Sequence, residues 1–440
     1  MRTPPSRTLA RLALGAAVLA VVGACAAPPE QAAGPTAVGT PTTSAPASTT
    51  ETPTTGASPT TSAAPSTSPS SPSSPTSPTS PTTPTTPTST GTCAARVQQR
   101  LTVAQRVGQL LMVGIQPSAA PSGLDTVITR EHLGGVIYLG GWIGAQTVDA
   151  TSAHLQDATG PQGTGDVRLL VAADQEGGQV QQLKGTGFST LASALSTGTR
   201  STGEITAVGA LAGREMLAAG VNVDLAPVSD TVPASLGRGN GPIGRYDRQF
   251  GSDPAVVARA VAAFTSGLRS SGVVATVKHF PGIGRIVANT DTSSTGITDE
   301  TTTVTDAYLQ PFVSGMRAGA GMVMVSSARY PRIDAQSQAV FSRPIITDLL
   351  RGRLGWKGVV ITDDVGAARA VSAVPVGERA TRFVDAGGDI VLTASGATAP
   401  VMASALTTRY AADRAFAAKV EAAVGRVLAL KQGLGLLPCG

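Results

Sequence analysis

The residues best suited to chemistry stand directly after short apolar runs or in the loops between them. Asp363 follows Val359-Val360-Ile361-Thr362. A carboxylate presented at the end of a rigid strand suits attack on an electrophilic carbon with a covalent intermediate. Its neighbour Asp364 fits a helix-capping role better. Lys278-His279 close the run Val273–Val277 and precede Phe280-Pro281-Gly282, which forces a turn. Lys supplies a point charge and His a directional donor, a pair suited to vicinal hydroxyls. Asp174 opens Asp174-Gln175-Glu176-Gly177-Gly178, where the carboxylate can accept from two hydroxyls and the glycines let backbone approach closely. Arg248, in the loop Asp247–Pro254, either clamps a ligand or orders the loop. A structural reading stands beside the others too: His279 satisfied by backbone, Asp174 in a strand-end turn.

An attacking carboxylate beside groups that fix hydroxyls matches the needs of glycosidic bond cleavage, which also requires a proton donor to the leaving oxygen. The elements that must position this set are legible as eight apolar runs. They are Leu110–Ile115, Gly135–Leu139, Leu169–Ala173, Val221–Leu225, Val273–Val277, Met322–Val325, Val359–Ile361 and Ile390–Leu392. Longer amphipathic stretches separate most of them, including Glu204–Ala219, Pro254–Ser270, Thr303–Ala318 and Arg343–Leu354. Buried strands alternating with helices imply parallel βαβ units. Eight strands with no second sheet predict one closed (β/α)8 barrel of the TIM type, with a doubly wound open sheet as the runner-up. Asp413–Gly433 reads as a closing helix. In such a barrel the chemistry gathers at the C-terminal ends of the strands, where Asp174, Lys278, His279 and Asp363 all fall.

The 440 residues divide into three segments by composition. Residues 1–24 read as a signal peptide: Arg2, Arg7 and Arg11 precede the apolar run Leu12–Val22, which is too short for a lasting membrane span. Val22-Gly23-Ala24-Cys25 has the form of a bacterial lipobox, predicting lipidation of Cys25, export, and a lipid anchor on the outer face of the cell membrane. Residues 25–92 are almost wholly Pro, Thr, Ser, Ala and Gly and predict a disordered tether. Residues 93–440 form the folded domain. Cys93 and Cys439 stand at its two edges, which in an oxidising compartment suggests a disulfide. With three histidines and no cysteine pair at ligand spacing, neither a metal nor any other cofactor is expected. The net charge of +5 is scattered and aromatics are scarce, which argues against nucleic acid as a partner.

Five stretches, in order, resemble glycoside hydrolase family 3, in its β-N-acetylhexosaminidase branch and actinobacterial lipoprotein type. They are Asp174–Gly178, Asn222–Val228, Arg248–Pro254, Lys278–Gly282 and Gly358–Asp364. The resemblance spans about Val103 to Thr393. It implies a (β/α)8 barrel, a retaining mechanism with Asp363 as nucleophile, and Asp174, Arg248, Lys278 and His279 as sugar-binding residues. It also implies a carbohydrate substrate, terminal N-acetylglucosamine of cell-wall fragments. Three departures stand out. Where the branch carries an Asp-x-His pair whose His is the general acid/base, this chain reads Asp291-Thr292-Ser293. Gly282-Ile283-Gly284-Arg285 replaces the usual His and Asp, and Gln179 stands where Arg is usual. Either Asp291 takes over as acid/base or proton delivery is lost, leaving a wall-associated sugar-binding protein on a hydrolase scaffold.

Overall fold

The computed structural model describes residues 91–439. The signal peptide, Cys25 and nearly all of the tether lie outside the described residues. Each apolar run becomes one strand of a single parallel eight-stranded sheet. The strands are β1 Leu111–Ile115, β2 Gly135–Tyr138, β3 Leu170–Ala173, β4 Val223–Asp224, β5 Val274–Phe280, β6 Met322–Val325, β7 Val359–Thr362 and β8 Val391–Thr393. Neighbours in space follow chain order from β1 to β7, and β8 returns to pair with β1. At the seam between β7 and β8 Ile361 bridges Ile390, and Leu392 N donates to Thr362 Oγ1 at 2.8 Å. The sheet therefore curls into a barrel of the TIM type.

The strands read as continuous apolar runs because both of their faces are covered. Every residue of β1, β2, β3, β6 and β7 is buried. Side chains fill the barrel interior on one side and helices cover the other. The helix Thr202–Ala218 begins with a reciprocal cap between Ser201 and Glu204, and Pro254–Ser270 begins at an Asp253 cap with Pro in its first turn.

Two helical stretches differ from expectation. Over 303–318 only Gln310–Arg317 is α-helix, preceded by a short turn at Ala307–Leu309. Asp306 takes the N–H of Tyr308 at 2.9 Å and so caps that short turn, after which the α-helix starts later than the apolar pattern suggests. Pro344–Arg353 winds as a π-helix, and the N–H of Leu354 reaches back five residues to the Leu349 carbonyl. Its buried residues Ile345, Ile346, Leu349 and Leu350 fit either winding, so periodicity alone does not separate the two.

The closing helix Arg414–Gly433 lies beside the first helix, Cys93–Arg100, with Ala94 N–H donating to Gln432 Oε1 at 2.8 Å. A disulfide joins Cys93 to Cys439, with Cα atoms 6.1 Å apart. Among the described residues no helix is long and apolar enough to cross a membrane.

Candidate active site

Asp174 after β3, Arg248 in the loop after β4, and Lys278 on β5 meet in one hydrogen-bonded set through Glu176, on the rim that also carries His279 and Asp363. Lys278 lies at the end of β5, its side chain only 2% exposed. A buried ammonium needs compensating charge, and here two carboxylates supply it. Lys278 Nζ donates to Asp174 and lies 2.6 Å from Glu176 Oε1. Arg248 grips the same Glu176 in a bidentate fork, Nε to Oε2 at 2.8 Å and Nη2 to Oε1 at 2.7 Å, while Nη1 donates to the Pro242 carbonyl. Arg248 thus orders its own loop, and its guanidinium is 15% exposed.

Burial alone would raise the Glu176 carboxyl, but the Arg248 and Lys278 charges override it and hold the group at about 2. The same carboxylates outweigh desolvation at Lys278, which is raised to about 12. Asp224, at the end of β4, behaves oppositely. Burial pushes it up to about 8, reinforced by Asp174 and Glu176 against the Gln175 N–H and Lys278. Its Oδ1 accepts from Gln175 N at 3.0 Å, whereas its buried Oδ2 has no partner among the described residues.

His279 follows Lys278 on β5. Its Nδ1–H donates to Asp230 Oδ2 at 2.7 Å, and its backbone N–H donates to the same oxygen at 3.1 Å. Asp230 is fully buried and also accepts from Ile283 N at 2.7 Å through Oδ1. One carboxylate therefore fixes the His279 ring and holds a proton on Nδ1.

Asp363 stands one residue beyond β7, half-buried, its backbone N–H bonded to the Val325 carbonyl at the end of β6. Asp364 does not cap a helix as expected: the next helical turn, Arg369–Val371, begins at Ala368, and Asp364 instead closes the turn just after itself. Its Oδ1 accepts from Gly366 N and Ala394 N at 2.8 and 3.0 Å, turning its side chain away from ligand duty.

Asp291 comes from the long loop after β5. Its carbonyl accepts from Arg369 N and that of Thr290 from Ala370 N, both at 3.0 Å, so the loop is docked on the segment that follows Asp363. Burial first, then the Asp363 charge, push the Asp291 carboxyl up to about 6 against the opposing pull of Arg248 and His279. Asp291 itself is exposed to solvent. Ser293 turns its hydroxyl to the Thr295 carbonyl at 2.7 Å, a local turn with no link to the site. His132 bonds the Gly163 carbonyl and His154 bonds Asp125, both apart from the catalytic rim.

Glu176, Asp224 and Asp230 were not singled out by the sequence. Glu176 lies in the stretch that Asp174 opens, and Asp230 just past Asn222–Val228, but their partners Arg248 and His279 are 72 and 49 residues away, so spacing carries no sign of them. Among the described residues no cluster of His, Cys, Asp and Glu is arranged to hold a metal ion.

A TIM-type barrel with carboxylates, a Lys and a His converging on its C-terminal rim has the build of a carbohydrate-cleaving enzyme. The description "Glycosyl hydrolase family 3 N terminal domain" matches residues 102–430, and the chain belongs to that family, whose members are glycosyl hydrolases. It is similar to the beta-hexosaminidase of Xanthomonas oryzae pv. oryzae, 33% identical over 290 residues, covering 64% of this chain and 83% of the relative. Among solved structures it is similar to a β-N-acetylhexosaminidase from Beutenbergia cavernae, with 45% identity, a TM-score of 0.73, and coverage of 76% of this chain and 99% of the other. It is also similar to M tuberculosis LpqI, with 28% identity, a TM-score of 0.68, and coverage of 77% and 96%.

Proposed function

We propose that this protein is a retaining, exo-acting β-N-acetylhexosaminidase that removes terminal β-linked N-acetylglucosamine from peptidoglycan fragments. Asp363 is the nucleophile and Asp291 the general acid/base. The observation that carries the reading is the docking of the Asp291 loop, through the Thr290 and Asp291 carbonyls, on the segment that follows Asp363. It brings the two carboxyls near enough for the Asp363 charge to raise Asp291. A carboxyl pushed up to about 6 keeps its proton to higher pH than an ordinary aspartate, while Asp363 stands at the strand end as the attacking group, which is the division of labour a double displacement needs. In the first step Asp363 attacks the anomeric carbon while Asp291 protonates the leaving oxygen. In the second, ionised Asp291 takes a proton from water as the glycosyl–Asp363 ester is cleaved.

Asp174, Arg248, Lys278 and His279 hold the sugar. The Lys278–Asp174–Glu176–Arg248 array is rigid before ligand arrives, so its donors and acceptors cost little ordering entropy on binding. His279 Nε2, with Asp230 fixing the ring through Nδ1, is left to bond a hydroxyl. Gly177 and Gly178, at φ of 95° and 58°, let the backbone beside Asp174 turn where a side chain would be strained. Lipidation at Cys25 and the Pro/Thr/Ser tether would hold this domain outside the membrane, within reach of the wall.

The test is the anomeric form of the first product. Proton NMR of an aryl β-N-acetylglucosaminide digest is expected to show β-GlcNAc first, before mutarotation. Initial α-GlcNAc would rule out the double displacement. Tight binding without turnover would favour the alternative, a sugar-binding protein that has lost proton delivery with the Ser293 replacement.

A further inference from the structure

Asn240 lies between the loop that bears Arg248 and the loop that bears Asp291, and it is fully buried. Its side-chain oxygen serves its own loop and its side-chain N–H groups reach across to the other. Oδ1 accepts from Ile243 N at 2.9 Å and Gly244 N at 2.8 Å, closing the turn that leads to Arg248. Nδ2 donates to the Ile283 carbonyl at 2.8 Å and the Ile286 carbonyl at 2.7 Å, at the root of the Asp291 loop. A second contact lies next to it, where Gly241 N–H donates to the Val287 carbonyl at 3.2 Å. The approach is so close that a Cβ on Gly241 would lie 2.5 Å from that same oxygen. Together with the Arg369 and Ala370 N–H groups at its tip, these bonds hold the Asp291 loop from two sides.

We infer that Asn240 is a positioning residue for proton transfer: it sets the root of the Asp291 loop and thereby the reach of the Asp291 carboxyl to the leaving oxygen. The inference rests on the assignment of Asp291 as acid/base. A short amide serves here because it alone offers two acceptor directions to one loop and two N–H donors to the other. Geometry matters at this point because a carboxyl displaced by a fraction of an ångström loses most of its value as a proton donor.

Asn240→Asp separates the two halves of this clasp. The carboxyl keeps both acceptor contacts to Ile243 and Gly244, so the Arg248 turn is retained. It can offer at most one proton to the two carbonyls of the Asp291 loop. Gly241→Ala perturbs the same junction from the Val287 side and leaves Asn240 intact.

The readout is the dependence of kcat/KM on the leaving group across aryl β-N-acetylglucosaminides, with Asp291→Ala as reference. In Asn240→Asp and Gly241→Ala we expect a loss of about 10-fold or more on a phenyl glycoside and less than about 3-fold on a 2,4-dinitrophenyl glycoside, which needs no protonation. KM should stay within about 2-fold, because the sugar-binding groups are unmoved. Azide should raise turnover of the dinitrophenyl substrate, as it should for Asp291→Ala. Equal losses on both substrates in both variants, with the leaving-group signature kept by Asp291→Ala, would overturn the positioning role alone. Equal losses in Asp291→Ala itself would instead remove the acid/base assignment beneath it.

Discussion

Arg248 and Glu176, 72 residues apart in sequence, meet in a two-pronged ion pair whose second carboxylate contact is the buried Lys278. Two cations share one buried anion, and Asp174 supplies the balancing charge on the cleft side. The site is therefore built as an alternating charge array that is complete without ligand.

That array should tie stability to pH at the acid end. Glu176 is held at about 2 against 4.5 for an ordinary glutamate. Its stabilisation is fully present above about pH 4.5 and is lost as pH falls through about 2. The size is about 3 kcal/mol at roughly 1.4 kcal/mol per unit. Glu176→Gln leaves Lys278 and Arg248 short of counter-charge and should cost about 3–5 kcal/mol at pH 7. In urea denaturation the gap between the wild type and this variant should narrow as pH is lowered from 5 towards 2. A gap that stays constant would contradict the charge array.

Asp224 should act with the opposite sign. Its carboxyl is pushed up to about 8, so folding takes up a proton at neutral pH. Stability from this group is complete below about pH 4 and drains away as pH rises towards 8. Relative to wild type, Asp224→Asn should gain about 1.4 kcal/mol per pH unit across that window. Parallel stability curves would show that Asp224 is ionised in the folded protein.

Asp291 sets the basic side of catalysis. The protonated carboxyl is the working acid, and with a value of about 6 it empties as pH rises. For a sugar leaving group, kcat/KM should fall above about pH 6, and Asp291→Asn should abolish that limb while costing about 10²–10⁴-fold. Carbon-13 NMR titration should also find the Asp291 value lowered in Asp363→Asn, because one of the two charges raising it is gone. A profile flat to pH 8 would exclude Asp291 as the acid.

The Cys93–Cys439 bond closes a loop of 346 residues and staples the first helix to the last. Cys93→Ser should lower unfolding free energy by about 2–5 kcal/mol with kcat unchanged at 25 °C. Unchanged stability would mean the helix contacts alone hold the termini.

Much of this was legible in the sequence. The eight strands stood out because parallel strands covered on both faces must be apolar throughout, and Asp174, Lys278, His279 and Asp363 were found because function in this barrel sits just past such runs. The buried polar partners were not legible. Asp230, Asp224 and Asn240 serve atoms 43 to 53 residues away, and only the closed barrel brings those pairs together. The winding of Pro344–Arg353 also escaped, since one buried stripe fits two helical pitches.

The central claim is that Asp363 attacks the sugar. Its most direct test is release of GlcNAc from the disaccharide GlcNAc–MurNAc by the full chain and by Asp363→Asn. Release by the wild type that falls by several orders of magnitude in the variant is the predicted result. Release at comparable rates by both, or by neither while the disaccharide still binds, would contradict it.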